Sequence, residues 1–186
     1  FQLLSESLGS FSKYDGISMG VPAPVKSGRI LKEPVNLGSG WVDFSFEKYF
    51  SKPVRLINDA VMQAVGSYRG GRMFFMGLGT GLGTAIIVDH YVIPLEVQHL
   101  PFRKGFTFEQ LLGKKSRQND GQEKWEKNLS TVVDLFFKTF LPDEIVLGGG
   151  LVKHLDCLPK NTRCGDNKNA IEGGIRLWTE KKYIFP

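Results

Sequence analysis

The segment Gly77-Leu78-Gly79-Thr80-Gly81-Leu82-Gly83-Thr84 restricts the possible folds of this chain more than any other stretch. It is not a dinucleotide fingerprint. A Gly-x-Gly-x-x-Gly register started at Gly77 puts Leu82 where the third glycine belongs, and one started at Gly79 puts Thr84 there. It is not a phosphate loop of the nucleoside triphosphatase kind either, because no Gly-Lys-Ser/Thr closes it. Both motifs open a helix, whereas here the apolar run RMFFM (72–76) precedes the glycines and the β-branched run TAIIVD (84–89) follows them. The expected local structure is strand, glycine turn, strand. Such a turn aims consecutive N–H groups and the Thr80 hydroxyl at an anion, since Gly79 and Gly81 carry no side chain. A plain tight hairpin is the other reading of the same residues.

Similar punctuation organises the rest of the chain. Residues 15–21 (DGISMGV) read as a buried strand that stops at Pro22-Ala23-Pro24, where no ladder can continue. A loop holding Asn36, Gly38, Gly40 and Trp41 leads to a short helix over 44–50. Residues 54–57 (VRLI) form a second buried strand, with Asn58-Asp59 at its end and a helix over 60–66 behind it. The polar stretch 103–126 is expected to be helical and exposed. Residues 129–140 (LSTVVDLFFKTF) have apolar side chains at helical spacing and stop at Pro142. A strand over 144–147 (EIVL) runs into Gly148-Gly149-Gly150, and a last helix covers 170–178. Residues 1–11 read as an amphipathic helix entered midway, so sequence upstream of Phe1 is expected. Alternating strands and helices indicate α/β architecture, with the chemistry at the carboxyl ends of strands.

Each polar constellation has a structural and a chemical reading. Asn58 and Asp59 suit a helix cap; equally, a carboxylate there suits a general base beside a hydroxyl. Glu96 and His99, at i and i+3, share one face of a helical turn and either pair with each other or present two polar groups to one ligand. Gly148, Gly149 and Gly150 form a flexible joint or admit close approach of a flat or phosphorylated ligand.

Composition narrows the partners. The net charge of +5 favours anionic substrates, but no Lys/Arg block exceeds pairs such as Lys114-Lys115, so a nucleic-acid arm is not expected. Cys157 and Cys164 cannot supply a four-thiolate zinc site. Apolar runs are too short to span a bilayer and no signal peptide is legible, so no membrane role and a cytoplasmic setting are expected.

The order of these pieces is more specific than any one of them. Val21-Pro22-Ala23-Pro24-Val25, the 36–41 loop, Asn58-Asp59-Ala60, the glycine hairpin, Glu96-x-x-His99 and Leu147-Gly148-Gly149-Gly150 together closely resemble the ROK-family sugar kinases, most of all the zinc-free polyphosphate/ATP glucokinases. The resemblance runs from about residue 15 to residue 178. It implies the actin/hexokinase-like (ribonuclease H-like) two-lobed fold, with residues 1–58 the remainder of a small N-terminal lobe and 59–186 the larger C-terminal lobe. It implies Asp59 as catalytic base, and Asn36, Asn58, Asp59, Glu96 and His99 as sugar contacts. Gly79, Thr80 and Gly81 would hold phosphate, and Gly148, Gly149 and Gly150 the nucleotide. The substrates implied are a hexose and a phosphoryl donor, ATP or polyphosphate with Mg2+, in a homodimer without zinc.

The chain departs from the family pattern in instructive ways. The zinc branch has a cysteine cluster soon after Glu-x-x-His, and residues 101–121 contain no cysteine. Gln98 replaces the glycine of Glu-x-Gly-His, and Ala23 that of Pro-Gly-Pro. The first phosphate hairpin of the family, Asp-x-Gly-Gly-Thr, has no counterpart in the sequence. The leading expectation is a hexose kinase; the alternative is a non-catalytic sugar-binding or regulatory relative. Elemental analysis of the purified protein is expected to find no stoichiometric zinc, and a one-to-one zinc content would overturn the branch assignment.

Overall fold

The structure, a computed structural model, describes residues 13–35, 37–179 and 183–185. The expected helix over 1–11 therefore lies outside the described residues. The chain divides into two compact units, Phe1–Asp59 and Ala60–Pro186.

In the first unit, β1 (Ile17–Val21) runs parallel to β4 (Val54–Asn58), in register from Ile17↔Val54 to Val21↔Asn58. The prolines after Val21 have no N–H to donate, so β1 ends there. Between these strands lie a small hairpin of β2 (Val25–Lys26) and β3 (Arg29–Ile30), then α1 (Phe46–Phe50). Ser51, at φ 52°, ends α1 in the left-handed conformation. Val21, Ala23, Ile30, Phe46, Phe50 and Leu56 make the core of this unit. The helix starts two residues later than expected: the Phe44 N–H closes a turn onto the Trp41 carbonyl at 3.4 Å, and its ring meets Phe46 with centroids 4.9 Å apart.

The second unit is built on a five-stranded mixed sheet. α2 (Asp59–Ser67) leads into β5 (Arg72–Leu78), β6 (Leu82–Val88) and β7 (Tyr91–Leu95). A small hairpin of β8 (Pro101–Arg103) and β9 (Phe106–Thr107) precedes α3 (Phe108–Leu112), α4 (Lys114–Asp120) and α5 (Gln122–Phe140). The chain closes with β10 (Glu144–Gly148), β11 (Thr162–Cys164) and α6 (Asn169–Thr179). The sheet order is β11-β10-β5-β6-β7, parallel from β11 to β5 and antiparallel from β5 to β7. No helix among the described residues is long and apolar enough to cross a membrane.

Helices cover both faces of β5, which explains its unbroken apolar run. Phe74, Met76 and Leu78 pack with Trp125, Leu129, Val132, Val133 and Phe136 of α5, whose spacing places them on one helix face. The opposite side of β5 carries Phe75 and Gly77 toward α2: a Cβ at Gly77 would stand 3.7 Å from the Ala60 Cβ. α2 and α6 cross at Gly66 and Gly173, nearly backbone to backbone. Arg176 of α6 donates to the Val65 and Tyr68 carbonyls at 3.2 and 2.9 Å, satisfying acceptors at the end of α2.

The 103–126 stretch corrects one expectation. It is helical from residue 108 onward but not a solvated layer, since Phe108, Leu112, Ser116 and Trp125 are buried. Trp125 is wholly enclosed, and its indole N–H donates to the Leu112 carbonyl at 2.8 Å, tying α5 to α3. The apolar residues here are too sparse to make a sequence stripe, yet each is an anchor. α5 ends at Leu141, which takes φ 48° just before Pro142.

Two glycines in the 148–150 motif are dictated by packing. A Cβ at Gly148 would strike the Phe75 ring, and one at Gly149 would strike the Leu78 backbone, with the Leu78 nitrogen 2.7 Å away. Gly149 also sits at φ +83°, whereas Gly150 faces open space. Gly149→Ala should therefore cost about 2 kcal/mol or more, combining strain with overpacking. Gly150→Ala should change stability by only about 0.5 kcal/mol. Chemical denaturation of the two variants checks this, and equal midpoints would overturn it.

Candidate functional site

In the first unit, Asn58 ends β4 and Asp59 begins α2. The Asn58 amide donates to the Ala23 carbonyl at 3.2 Å and lies 3.5 Å from the Val21 carbonyl. It thus pins the Pro22 loop to the strand end, a structural duty that sequence reading did not assign to it. Asp59 is half-buried in the first turn of α2, where the helix dipole favours a carboxylate. Asn36, expected in the sugar site, lies outside the described residues.

In the second unit, β5 and β6 pair from Arg72↔Val88 to Leu78↔Leu82, leaving Gly79, Thr80 and Gly81 as the hairpin tip. The Gly79 N–H bonds back to the Gly81 carbonyl at 3.1 Å. Among the described residues no acceptor engages the Thr80 or Gly81 N–H, and Thr80 is exposed. The tip thus offers an anion two N–H groups and a hydroxyl. Thr84 plays no part in this offer: it is buried and its hydroxyl donates to the Leu95 carbonyl at 2.9 Å.

The tip is held by its neighbours. A Cβ at Gly83 would collide with the Ala60 Cβ, so the first turn of α2 lies directly against the hairpin. The Leu151 N–H donates to Leu78 O at 3.0 Å, and the Lys114 N–H, at the start of α4, to Gly79 O at 2.9 Å. The Glu109 carboxylate lies against Gly81, where a Cβ would strike it. Glu109 is a residue that sequence reading missed; its place on α3 is fixed by a capping box between Thr107 and Gln110.

Glu96 and His99 come together on a single turn of 3₁₀ helix, Val97–His99, with Glu96 Oε2 3.5 Å from His99 Nε2. Between them Gln98 donates from Nε2 to Glu96 Oε2 at 2.6 Å. Both Glu96 and His99 keep their polar ends at the surface. Cys157 and Cys164 are both free and exposed.

No protein-family model and no curated protein matches this sequence. Solved structures do. The inorganic polyphosphate/ATP-glucomannokinase from Arthrobacter sp. strain KM is 23% identical, with TM-score 0.69 over 86% of this chain and 71% of that one. A ROK family protein from Streptococcus pneumoniae TIGR4, in complex with sucrose, gives TM-score 0.73 at 17% identity over 97% of this chain and 85% of that one. A ROK family glucokinase from Streptomyces griseus, in complex with glucose and AMPPNP, gives 0.69 at 15% identity over 95% and 86% respectively. The fold is that of the ROK-family sugar kinases. The α/β, actin/hexokinase-like expectation thus holds, and the glycine hairpin is the β5–β6 connection of the ROK fold in this chain.

The loop that carries Asn36 in this ROK fold has an internal organiser. The Glu33 carboxylate accepts the backbone N–H groups of Gly40 and Trp41, each at 3.0 Å, and of Val42 at 3.3 Å. The Trp41 indole N–H donates to Leu37 O at 3.3 Å. The Trp41 hydrogen bond, followed by those of Gly40 and Val42, holds Glu33 below the usual carboxylate range. A carboxyl whose folded value is depressed stabilises above its unfolded value, and that contribution disappears as pH falls through the folded value. The loop should therefore stay ordered through mildly acidic pH and loosen only below the ordinary carboxylate range. Trp41 fluorescence, isolated by comparison with Trp41→Phe, should report this transition; Glu33→Gln should shift the emission already at neutral pH. Identical emission from both chains across the titration would overturn the organising role.

Proposed function

We propose that the chain carries the sugar- and phosphate-binding machinery of a hexose kinase. In this reading it moves a phosphoryl group from ATP or polyphosphate to the 6-hydroxyl of glucose or a related hexose. The observation that carries this reading is the hairpin tip: two open N–H groups and the Thr80 hydroxyl, with the Glu96–His99 turn and Glu109 in the same unit. Phosphoryl transfer asks for positioning and electrostatic stabilisation more than covalent chemistry, and such a tip supplies both.

The roles follow from the chemistry of each side chain. Glu96 and His99 bind hydroxyls of the sugar, with Asn58 and Asn36 as further contacts. Asp59 accepts the proton of the attacking hydroxyl as its oxygen bonds to phosphorus, while the donor's bridging oxygen leaves with the electron pair. Gly79, Thr80 and Gly81 hold the transferring phosphate. Gly150 is the member of the 148–150 motif with room to approach a nucleotide, since Gly148 and Gly149 are packed against β5. Residues 1–58 and 59–186 correspond in this reading to the small and large lobes of the fold. The enzyme acts in the cytoplasm, as a homodimer.

Among the described residues no group of three His, Cys, Asp or Glu side chains comes together to hold a metal ion. In this reading Mg2+ would be held mainly through the donor's phosphates, the usual mode for this ion, where it would neutralise phosphate charge.

One observation favours a second reading, a sugar-binding relative without turnover. Gln98 already occupies the Glu96 carboxylate.

Asp59→Asn separates the two. It keeps the shape of the carboxylate but cannot take a proton, so kcat should fall by about 10²–10⁴-fold with glucose affinity nearly unchanged. Glucose should also raise the melting temperature, and Glu96→Ala should reduce that shift without removing it. Glucose-6-phosphate formation from ATP and from polyphosphate is the readout. Glucose binding without turnover supports the second reading, and no thermal shift with millimolar glucose would remove the sugar site.

A further inference from the structure

Gln98 is placed as no passive surface residue would be. The sequence sets it between the two polar residues of the 3₁₀ turn, and its side chain is half-buried while both of theirs are exposed. Its amide nitrogen has two hydrogens. One points to Glu96 Oε2 at 2.6 Å. The other side of the same nitrogen lies 3.4 Å from His99 Nε2, an acceptor when the imidazole is neutral with its proton on Nδ1. A single NH2 group therefore meets a carboxylate and an imidazole together, as two neighbouring hydroxyls of a sugar would. The amide oxygen points the other way: a Cβ at Gly81 would stand 3.6 Å from Gln98 Oε1. The side chain thus spans from the Glu96–His99 pair to the hairpin tip, where the Glu109 carboxylate also lies.

We propose that Gln98 is an internal surrogate for the hydroxyls of the acceptor, occupying the Glu96–His99 pair in the empty site and leaving it only when a polyhydroxylated ligand displaces it. The inference rests on the hexose-binding reading of Glu96 and His99. Its physical content is a competition. A hydrogen bond to an ionised group is stronger than a neutral one, so breaking it before the ligand binds weakens apparent affinity by about tenfold. Gln98 also sets specificity. A ligand with two adjacent hydroxyls replaces both contacts of the amide, whereas a ligand with one leaves Glu96 or His99 unsatisfied. The occupied pair therefore favours vicinal diols on a ring over simple alcohols.

The test uses Gln98→Ala, Glu96→Ala and the double variant in the full chain, with glucose titrated by calorimetry. Glucose should bind Gln98→Ala about tenfold more tightly than the unaltered chain. The double variant should show no such gain over Glu96→Ala alone, because the amide then has no carboxylate to occupy. A second measurement does not depend on the ligand. The Gln98 side-chain amide resonances, identified by their loss in Gln98→Ala, should shift in Glu96→Ala without sugar, and should shift in the same direction when glucose is added to the unaltered chain. If the unaltered chain binds glucose and Gln98→Ala binds it equally or less well, the surrogate role is overturned and the hexose site stands. If the Gln98 resonances ignore Glu96→Ala, the contact itself is refuted. If no variant binds glucose, the surrogate role falls together with the hexose reading.

Discussion

The second unit depends on how closely other backbones approach the β5–β6 hairpin. Ala60 of α2 rests on Gly83, Gly149 of the β10 turn rests on Leu78, and Gly113 lies at the Thr80 carbonyl. Side chains at these glycines would push away elements that come from distant parts of the sequence. The same approaches fix the tip by backbone hydrogen bonds from Lys114 to Gly79 and from Leu151 to Leu78. A hairpin alone is a mobile device in water; clamped from these directions, it presents its free N–H groups in one geometry. Backbone dipoles pre-organised in this way need no reorganisation to meet a negative charge.

Around that hairpin the sheet is sealed by different means on its two faces. One face is closed by apolar burial, with the fully enclosed Trp125 doubling as a hydrogen-bond donor to Leu112. The other is closed by small residues and charged ties. Gly66 and Gly173 let α2 and α6 touch, and Arg176 satisfies carbonyls at the end of α2. Arg163 of β11 adds a fork onto Glu144, with Nε–Oε2 at 2.6 Å and Nη2–Oε1 at 2.9 Å. The helix that opens at Asp59 is thus braced at its far end and packed at its first turn.

The motif residues were legible in unequal degrees. The tip residues Gly79, Thr80 and Gly81 stood out because alternating glycines are more than a turn needs, and they do form the open end of the hairpin. Thr84, four residues on, is buried instead and its hydroxyl donates to the Leu95 carbonyl. Thr80 sits in the turn beyond the last strand pair, whereas Thr84 lies within β6 with its side chain on the buried side. The 148–150 triplet looked uniform too, but packing against Phe75 and Leu78 divides it into two structural glycines and one open one. Glu109 carried no signal at all: a lone glutamate in a polar stretch reads as solvated until a helix start places it against Gly81.

By itself the sequence determined the local grammar of the chain. The strand runs 15–21, 54–57, 72–76, 84–89 and 144–147, their glycine and proline stops, the long helix ending before Pro142, and the Glu96-x-x-His99 turn follow from side-chain periodicity and backbone freedom, which act over a few residues; β2, β3, β7, β8, β9 and β11 carried no such signal. It also carried, in the order of its motifs, the resemblance to ROK kinases. Tertiary structure decided the strand order β11-β10-β5-β6-β7, the parallel pairing of β1 with β4, and which polar atoms remain available. Asn58 also ties the Ala23 carbonyl, and Gln98, a departure from the family motif, is the hydrogen-bond partner of Glu96. Those outcomes rest on pairings between residues that the chain brings together only when folded, and a hydrogen bond is specified by distance and angle that no local pattern encodes.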